Sequence, residues 1–100
     1  MELKETQINT IVYQKDGGEP EERTIVPSFV PFRNIRAIDV ADLSDREAEE
    51  MVELLREYQQ YYSDFISRAY NFETWVEQSK NKTITPKWRS FKLDNILNVK

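Results

Sequence analysis

Apolar residues recur with a helical period through the middle of the chain. Between Ser44 and about Tyr70 they step alternately by three and four residues, which gathers them on one face of an α-helix. Ser44 and Glu47 have the spacing of a capping box, in which each side chain bonds the backbone N–H of the other residue. The pattern predicts one long amphipathic helix. Its apolar stripe consists of Ala48, Met51, Leu55, Tyr58, Tyr62, Phe65 and Ala69.

A shorter helix is predicted after the long one. Asn71 is a suitable N-cap, and the polar stretch 79–82 contains two lysines, which suit the negative end of a helix dipole. The residues that share one face of this helix are Phe72, Trp75, Val76 and Ser79. We interpret residues 44–80 as a helical hairpin or one bent helix, and favour a second helix that folds back on the first.

The first forty residues alternate with the period of β-strands. Ile8–Gln14 and Arg23–Val30 predict a hairpin, and the Asp16-Gly17 pair between them is a type I′ turn signal. Pro27 cannot donate a ladder hydrogen bond, so the second strand is expected at a sheet edge or with a bulge.

Two further strands complete the predicted sheet. Residues 32–40 alternate so that Ile35 and Ala37 lie on the opposite face from Ile38 and Val40. Residues 83–99 predict a closing strand. We therefore expect one α+β domain, in which 1–43 form a hairpin and a third strand, 44–80 are a helical insertion, and 83–99 return to a small antiparallel sheet.

The missing residue types exclude most enzyme classes. The 100 residues contain no cysteine and no histidine, and the two glycines are adjacent. The chain therefore cannot form a Ser-His-Asp or Cys-His arrangement, a zinc site of the usual kind or a glycine-rich phosphate loop. We predict a non-enzyme with no catalytic residue, no metal and no cofactor. A charged N-terminus without an apolar segment, the absence of a long apolar run and the lack of cysteine predict a cytoplasmic protein without a membrane partner.

Charge is unevenly distributed along the chain. Residues 44–70 carry three basic and seven acidic side chains, whereas residues 71–100 carry six basic and three acidic ones. Cations neutralise phosphates and an exposed tryptophan stacks on bases. The residues predicted to bind nucleic acid or a ligand are Arg89, Lys92, Lys87 and Trp88. The competing interpretation is a sheet edge protected by lysines, with Trp88 buried.

The aromatic part of the long helix has two interpretations. Tyr58, Tyr61, Tyr62 and Phe65 are most simply core residues, but tyrosine hydroxyls need water or partners, which also favours a partner interface. The second interpretation allows a homodimer through residues 48–69. The acidic side chains of the same helix could also imitate a phosphate backbone and so inhibit a nucleic-acid enzyme.

Two stretches resemble the WYL-type domains. Lys87-Trp88-Arg89-Ser90-Phe91-Lys92-Leu93-Asp94-Asn95-Ile96 is similar to their closing strand, typically Arg-Thr-Phe-Arg-Leu-Asp-Arg-Ile. Ile11-Val12-Tyr13 with Glu22-Arg23-Thr24-Ile25-Val26-Pro27 resembles their opening hairpin. The form Trp-Arg-Ser-Phe looks most like the small phage-borne branch of the family, although the Trp-Tyr-Leu motif that names the family is absent.

The resemblance implies an SH3/Sm-like barrel that binds nucleic acids or small ligands for regulation. Arg89 would be its ligand-facing arginine and Lys92 its second basic position. The leading hypothesis is thus a non-catalytic accessory or regulatory protein of phage or mobile-element type, which binds nucleic acid or a nucleic-acid enzyme through the basic closing strand. The alternative is a protein-interaction module or inhibitor that acts through the long helix, with a homodimer as one form.

Overall fold

A computed structural model describes residues 3–29, 34–61 and 72–100 of the chain. As predicted, the fold is α+β, with an antiparallel sheet and two helices. The strands are β1 (Asn9–Gln14), β2 (Pro20–Phe29), β3 (Asn34–Asp39), β4 (Lys87–Lys92) and β5 (Ile96–Val99). The helices are α1 (Asp45–Tyr61) and α2 (Phe72–Lys80), both between β3 and β4, and a single 3-10 turn (Leu93–Asn95) joins β4 to β5.

The sheet has the strand order β4-β3-β2-β1-β5, so β2 is its central strand. Residues 20–25 of β2 pair with β1, whereas residues 25–29 pair with β3. The register with β3 shifts between Pro27 and Phe29. The bulge is thus the way in which the sheet accommodates Pro27, and the alternative of an edge position for this strand is wrong.

The two edge strands are consecutive in the chain. If the five-stranded sheet were flat, its edges would lie about 19 Å apart, but the three residues of the 3-10 turn span only about 6 Å. The sheet must therefore curl so that the end of β4 comes near the start of β5. Among the described residues the two strands do not pair, so the sheet is open. The single closing strand predicted over 83–99 is instead two strands.

Each face of the curled sheet has its own hydrophobic core. The concave core contains Ile11, Ile25, Ile35, Ala37, Phe91 and Ile96, which come from all five strands. The convex core joins Val26, Ile38 and Val40 to the buried residues of α1 and α2. The predicted division of β3 into two apolar faces is therefore confirmed, because Ile35 and Ala37 lie in one core and Ile38 and Val40 in the other.

Helix α1 begins at the predicted capping box. The backbone N–H of Glu47 donates to Ser44 Oγ at 3.2 Å, and the backbone N–H of Ser44 donates to Glu47 Oε1 at 3.1 Å. Its apolar stripe is buried on the sheet through Ala48, Met51, Val52, Leu54, Leu55 and Tyr58. The remainder of the predicted long helix, residues 62–70, lies outside the described residues.

Helix α2 folds back on α1, as predicted. The ring of Tyr58 meets Phe72 and Trp75 edge to face, with centroid distances of 5.6 and 5.7 Å. Lys80 pairs with Glu57 and Lys82 pairs with Glu50, so the chain after α2 runs back along α1. Phe72, Trp75 and Val76 are buried as expected, but Ser79 is exposed. The proposed N-cap, Asn71, lies outside the described residues.

The hairpin turn between β1 and β2 differs from its predicted type. Gly18 donates its backbone N–H to the Lys15 carbonyl oxygen at 2.8 Å, and Gly17 has a φ of +76°. A type I′ turn also needs a positive φ at the residue before the glycine. Asp16 does not have one, so the type I′ prediction is wrong, although the glycine is where the turn requires it.

Candidate nucleic-acid interface

The alternation of β4 divides the four predicted binding residues between the two faces of the sheet. Ala37 is the register partner of Arg89, and Ile38 is the register partner of Trp88. Because side chains alternate along a strand, Lys87 and Arg89 lie on the concave side with Phe91. Trp88 and Lys92 lie on the convex side with Ser90. The four residues therefore do not form one patch on one face.

On the concave side, Arg89 lies beside a buried carboxylate. Asp39 has a side-chain exposure of only 7%, and its Oδ2 atom is 3.5 Å from Nε of Arg89 and 3.9 Å from Nη1 of Arg23. Its Oδ1 atom accepts a hydrogen bond from the backbone N–H of Ala41 at 3.0 Å. Arg23 is also held by Glu21 at 2.6 Å. This charged cluster occupies the sheet face next to the concave core. The positive charge of Arg89 is therefore partly neutralised by the Asp39 carboxylate.

The sequence analysis missed Asp39 and Arg23, although a signal for Asp39 was present. Asp39 continues the alternation of Ile35 and Ala37, and therefore falls on a buried face. An acidic residue in such a position needs a cation or a backbone donor, since burial of an unpaired charge is costly. Arg23 has the matching position on β2, where Ile25 is the register partner of Asp39.

The two lysines at the ends of β4 are paired with exposed carboxylates. Lys87 pairs with Asp42, whose pKa is lowered chiefly by the hydrogen bond from that lysine. Lys92 donates to Asp16 at 3.1 Å, and Asn95 donates to the other oxygen of the same carboxylate at 3.1 Å. The hydrogen bond from Lys92, followed by that from Asn95, lowers the pKa of Asp16, and the pKa of Lys92 is raised in return.

Trp88 is half-buried rather than free to stack on a base. The ring of Phe72 meets it edge to face at a centroid distance of 6.4 Å. The guanidinium carbon of Arg36 lies 5.7 Å from the centroid of the Trp88 ring. Trp88 thus packs against the convex core without being fully buried, so its position lies between the two interpretations.

Arg36, which the sequence did not single out, adds an exposed positive charge to the predicted binding site. It is exposed on the convex side of β3, and no described residue supplies it with a carboxylate partner. Its register partner is Ser90, and the register partner of Lys92 is Asn34. Arg36 and Lys92 are therefore diagonal neighbours, about 7–8 Å apart at the backbone. We call the surface formed by Arg36, Trp88, Ser90 and Lys92 the β3–β4 strip.

The predicted partner interface on α1 is described at one side chain only. Tyr58 has an exposure of 8% and is packed against α2, so it belongs to the core. The side chain of Tyr61, and the whole of Tyr62 and Phe65, lie outside the described residues. The acidic side of α1 is partly neutralised, because Glu50 and Glu57 pair with lysines.

A cleft of about 450 Å³ lies between the start of α1, the end of β3 and the segment that enters β4. Its apolar lining includes Ile38, Leu43, Met51 and Ile84. The residues of the ion pairs Lys82–Glu50 and Lys87–Asp42 also line it. Within the described parts of the chain, no group of three acidic, histidine or cysteine side chains could hold a metal ion.

The comparisons with known proteins return nothing similar. No protein-family model, no curated protein and no solved structure matches this chain. The similarity to WYL-type domains therefore rests on the two quoted stretches alone. A separate search of the described helices found none that is long and apolar enough to cross a membrane.

Proposed function

We propose that the chain is a non-catalytic accessory protein that binds nucleic acid through the β3–β4 strip. The observation that carries the proposal is the position of Arg36, an exposed cation without a carboxylate partner among the described residues. It lies over the ring of Trp88 and is diagonal to Lys92. The basic last third of the chain and the resemblance to WYL-type domains support it. The phage or mobile-element origin and a closed SH3/Sm-like barrel are parts of the proposal that rest on the resemblance.

The position of Arg36 over the Trp88 ring suits it for contact with a phosphate. An arginine that lies over an aromatic ring keeps the donors at the edge of its planar guanidinium free, and the ring limits its side-chain freedom before binding. Trp88 would act by holding Arg36 in place, not by stacking on a base. We therefore expect contacts to the phosphate backbone, which position nucleic acid without reading its sequence.

Lys92 can contribute to binding by exchanging its present partner, the Asp16 carboxylate, for a phosphate. Its ion pair with Asp16 is formed by side chains that are 62% and 75% exposed, and exposed pairs of this kind contribute little to stability. A phosphate can therefore replace Asp16 at small cost. Arg89 and Lys87 lie on the other side of the edge strand and would contribute only where the nucleic acid wraps around it.

Fluorescence anisotropy with short single-stranded DNA, double-stranded DNA and RNA tests this proposal. We expect binding at low salt that weakens steeply as salt is added, because phosphate contacts release counterions. Affinity should change little between unrelated base sequences of the same length. Lack of binding at low salt, or strong preference for one base sequence, would count against the proposal.

The alternative of a protein-interaction module that acts through α1 depends on residues 61–65, which carry most of its predicted interface. Light scattering of the full chain distinguishes the two functions. A monomer is expected if the β3–β4 strip is the working surface. A dimer that dissociates when Tyr61 and Phe65 are changed to serine would favour the alternative.

A further inference from the structure

We propose that the outer edge of β4 accepts an acidic, extended segment of a partner protein as a sixth strand. This inference does not rest on nucleic-acid binding, because it uses the backbone of β4 and the cations along that strand, and it does not use Arg36. Strand addition to an exposed edge gains affinity from main-chain hydrogen bonds and specificity from alternate side chains.

The outer edge of β4 is left unpaired by the described residues, and the strand has a regular register with β3. β4 pairs with β3 over all six of its residues without a register shift, and no described residue pairs with its other side. It contains no proline. Every second residue of such a strand directs its N–H and C=O groups outwards, where they can pair with another chain. The opposite edge, β5, has four residues and an irregular register with β1, so it is the poorer template.

The charges of β4 determine which occupant fits. Lys87, Arg89 and Lys92 are exposed cations, and the strand has no acidic residue. A second copy paired antiparallel about the centre of the strand would place Lys87 opposite Lys92 at both ends. Like charges directly opposite each other destabilise a strand pair, and opposite charges stabilise it. Pairing of β4 with the β4 of a second copy is therefore disfavoured, and the charges of the edge favour an acidic segment.

The alternation of β4 gives the partner a sequence pattern. In an antiparallel pair, the residues opposite Lys92, Arg89 and Lys87 are acidic. Those opposite Phe91 and Trp88 are apolar, because they would extend the concave and convex cores. The segment that fits reads acidic, apolar, polar, acidic, apolar, acidic from its N-terminus. Its carboxylates would replace the exposed partners Asp16 and Asp42, which are each 75% exposed.

Amide hydrogen exchange of the full chain with synthetic peptides tests the inference. The probe contains Glu-Val-Thr-Glu-Val-Glu between short neutral flanks, and the matched control has Lys in place of Glu. We expect the acidic peptide to slow exchange at alternate amides of β4 and leave those of β5 unchanged. The charge-reversed variant Lys87→Glu with Lys92→Glu leaves Arg89 beside the buried Asp39. It should lose the acidic peptide and gain the basic one, which shows that the variant still folds.

The inference would be overturned if the acidic peptide at about 1 mM, a concentration that detects even weak binding, did not slow exchange of the β4 amides. Equal effects of the acidic and basic peptides, or no exchange of preference in the reversed variant, would also overturn it. So would protection of the β4 edge by an oligonucleotide but not by the peptide. Arg36→Gln separates this inference from the proposed function. It should lower the affinity for nucleic acid and leave the peptide effect unchanged.

Discussion

The guanidinium carbon of Arg36 lies 5.7 Å from the centroid of the Trp88 ring. This contact joins β3 to β4 across the convex face, next to the place where Trp88 meets Phe72 of α2. Trp88 thereby connects the hydrophobic core beneath it to the exposed cation above it. Its structural role and the binding role of Arg36 can be separated by substitution.

Trp88→Ala should destabilise the chain substantially. Removal of a large aromatic side chain from a core costs about 3–5 kcal/mol, and because Trp88 is only half-buried we expect a smaller loss, about 2–3 kcal/mol. Urea unfolding followed by far-ultraviolet circular dichroism measures it. Arg36→Gln is the matched control and should cost less than about 1 kcal/mol. A similarly small loss for Trp88→Ala would show that the ring is not part of the core.

The capping box at α1 yields a second prediction. Ser44→Ala removes the acceptor for the backbone N–H of Glu47, so the free energy of unfolding should fall by about 1 kcal/mol. Ser79→Ala on α2 is the control, since Ser79 is exposed and the change should be nearly neutral. Equal effects of the two substitutions in urea unfolding would contradict the observed cap.

The third prediction concerns the pH dependence of the Asp16–Lys92 pair. The hydrogen bond from Lys92 lowers the pKa of Asp16 below 3.8, so the contribution of Asp16 to stability is present above that pH and is lost as the pH falls through the lowered value. The pKa of Lys92 is raised above 10.5, so its contribution is present below that pH and is lost as the pH rises through the raised value.

Carbon-detected NMR titration of the carboxyl groups checks this prediction. Lys92→Gln should raise the pKa of Asp16 towards its ordinary value, because the largest cause of the lowering is removed. Asp42 is the internal control, since its pKa is lowered chiefly by Lys87 and should stay low in the same variant. An unchanged pKa of Asp16 would mean that the pair does not form in solution.

Local patterns in the sequence predicted the elements that depend on neighbouring residues. The spacing of Ser44 and Glu47 located the start of α1, and the alternation of Ile35 to Val40 assigned both faces of β3 correctly. The placement of Arg36 over Trp88 could not be predicted in this way. It depends on the register between β3 and β4, which are separated by both helices, and no local pattern encodes that register.

The break between β4 and β5 has a similar explanation. Residues 87–99 contain neither proline nor glycine, so Asp94 and Asn95, whose residue types are common in turns, give only a weak local signal for the 3-10 turn at Leu93–Asn95. The turn is required by the curl of the sheet, which must bring the end of one edge strand to the start of the other. The same turn places Asn95 beside Asp16. The sequence of β4 alone therefore does not reveal the partners of Lys92.

The dependence of nucleic-acid affinity on salt for two matched double variants tests the central claim most directly. Arg36→Gln with Lys92→Gln alters the β3–β4 strip. Lys4→Gln with Arg46→Gln removes the same charge from exposed side chains without a described ion-pair partner elsewhere. We predict that the first double variant weakens binding. It should also reduce the slope of log affinity against log salt concentration by about 2, roughly one for each lost phosphate contact. The control double variant should leave that slope unchanged. Equal slopes for the two double variants would contradict the account.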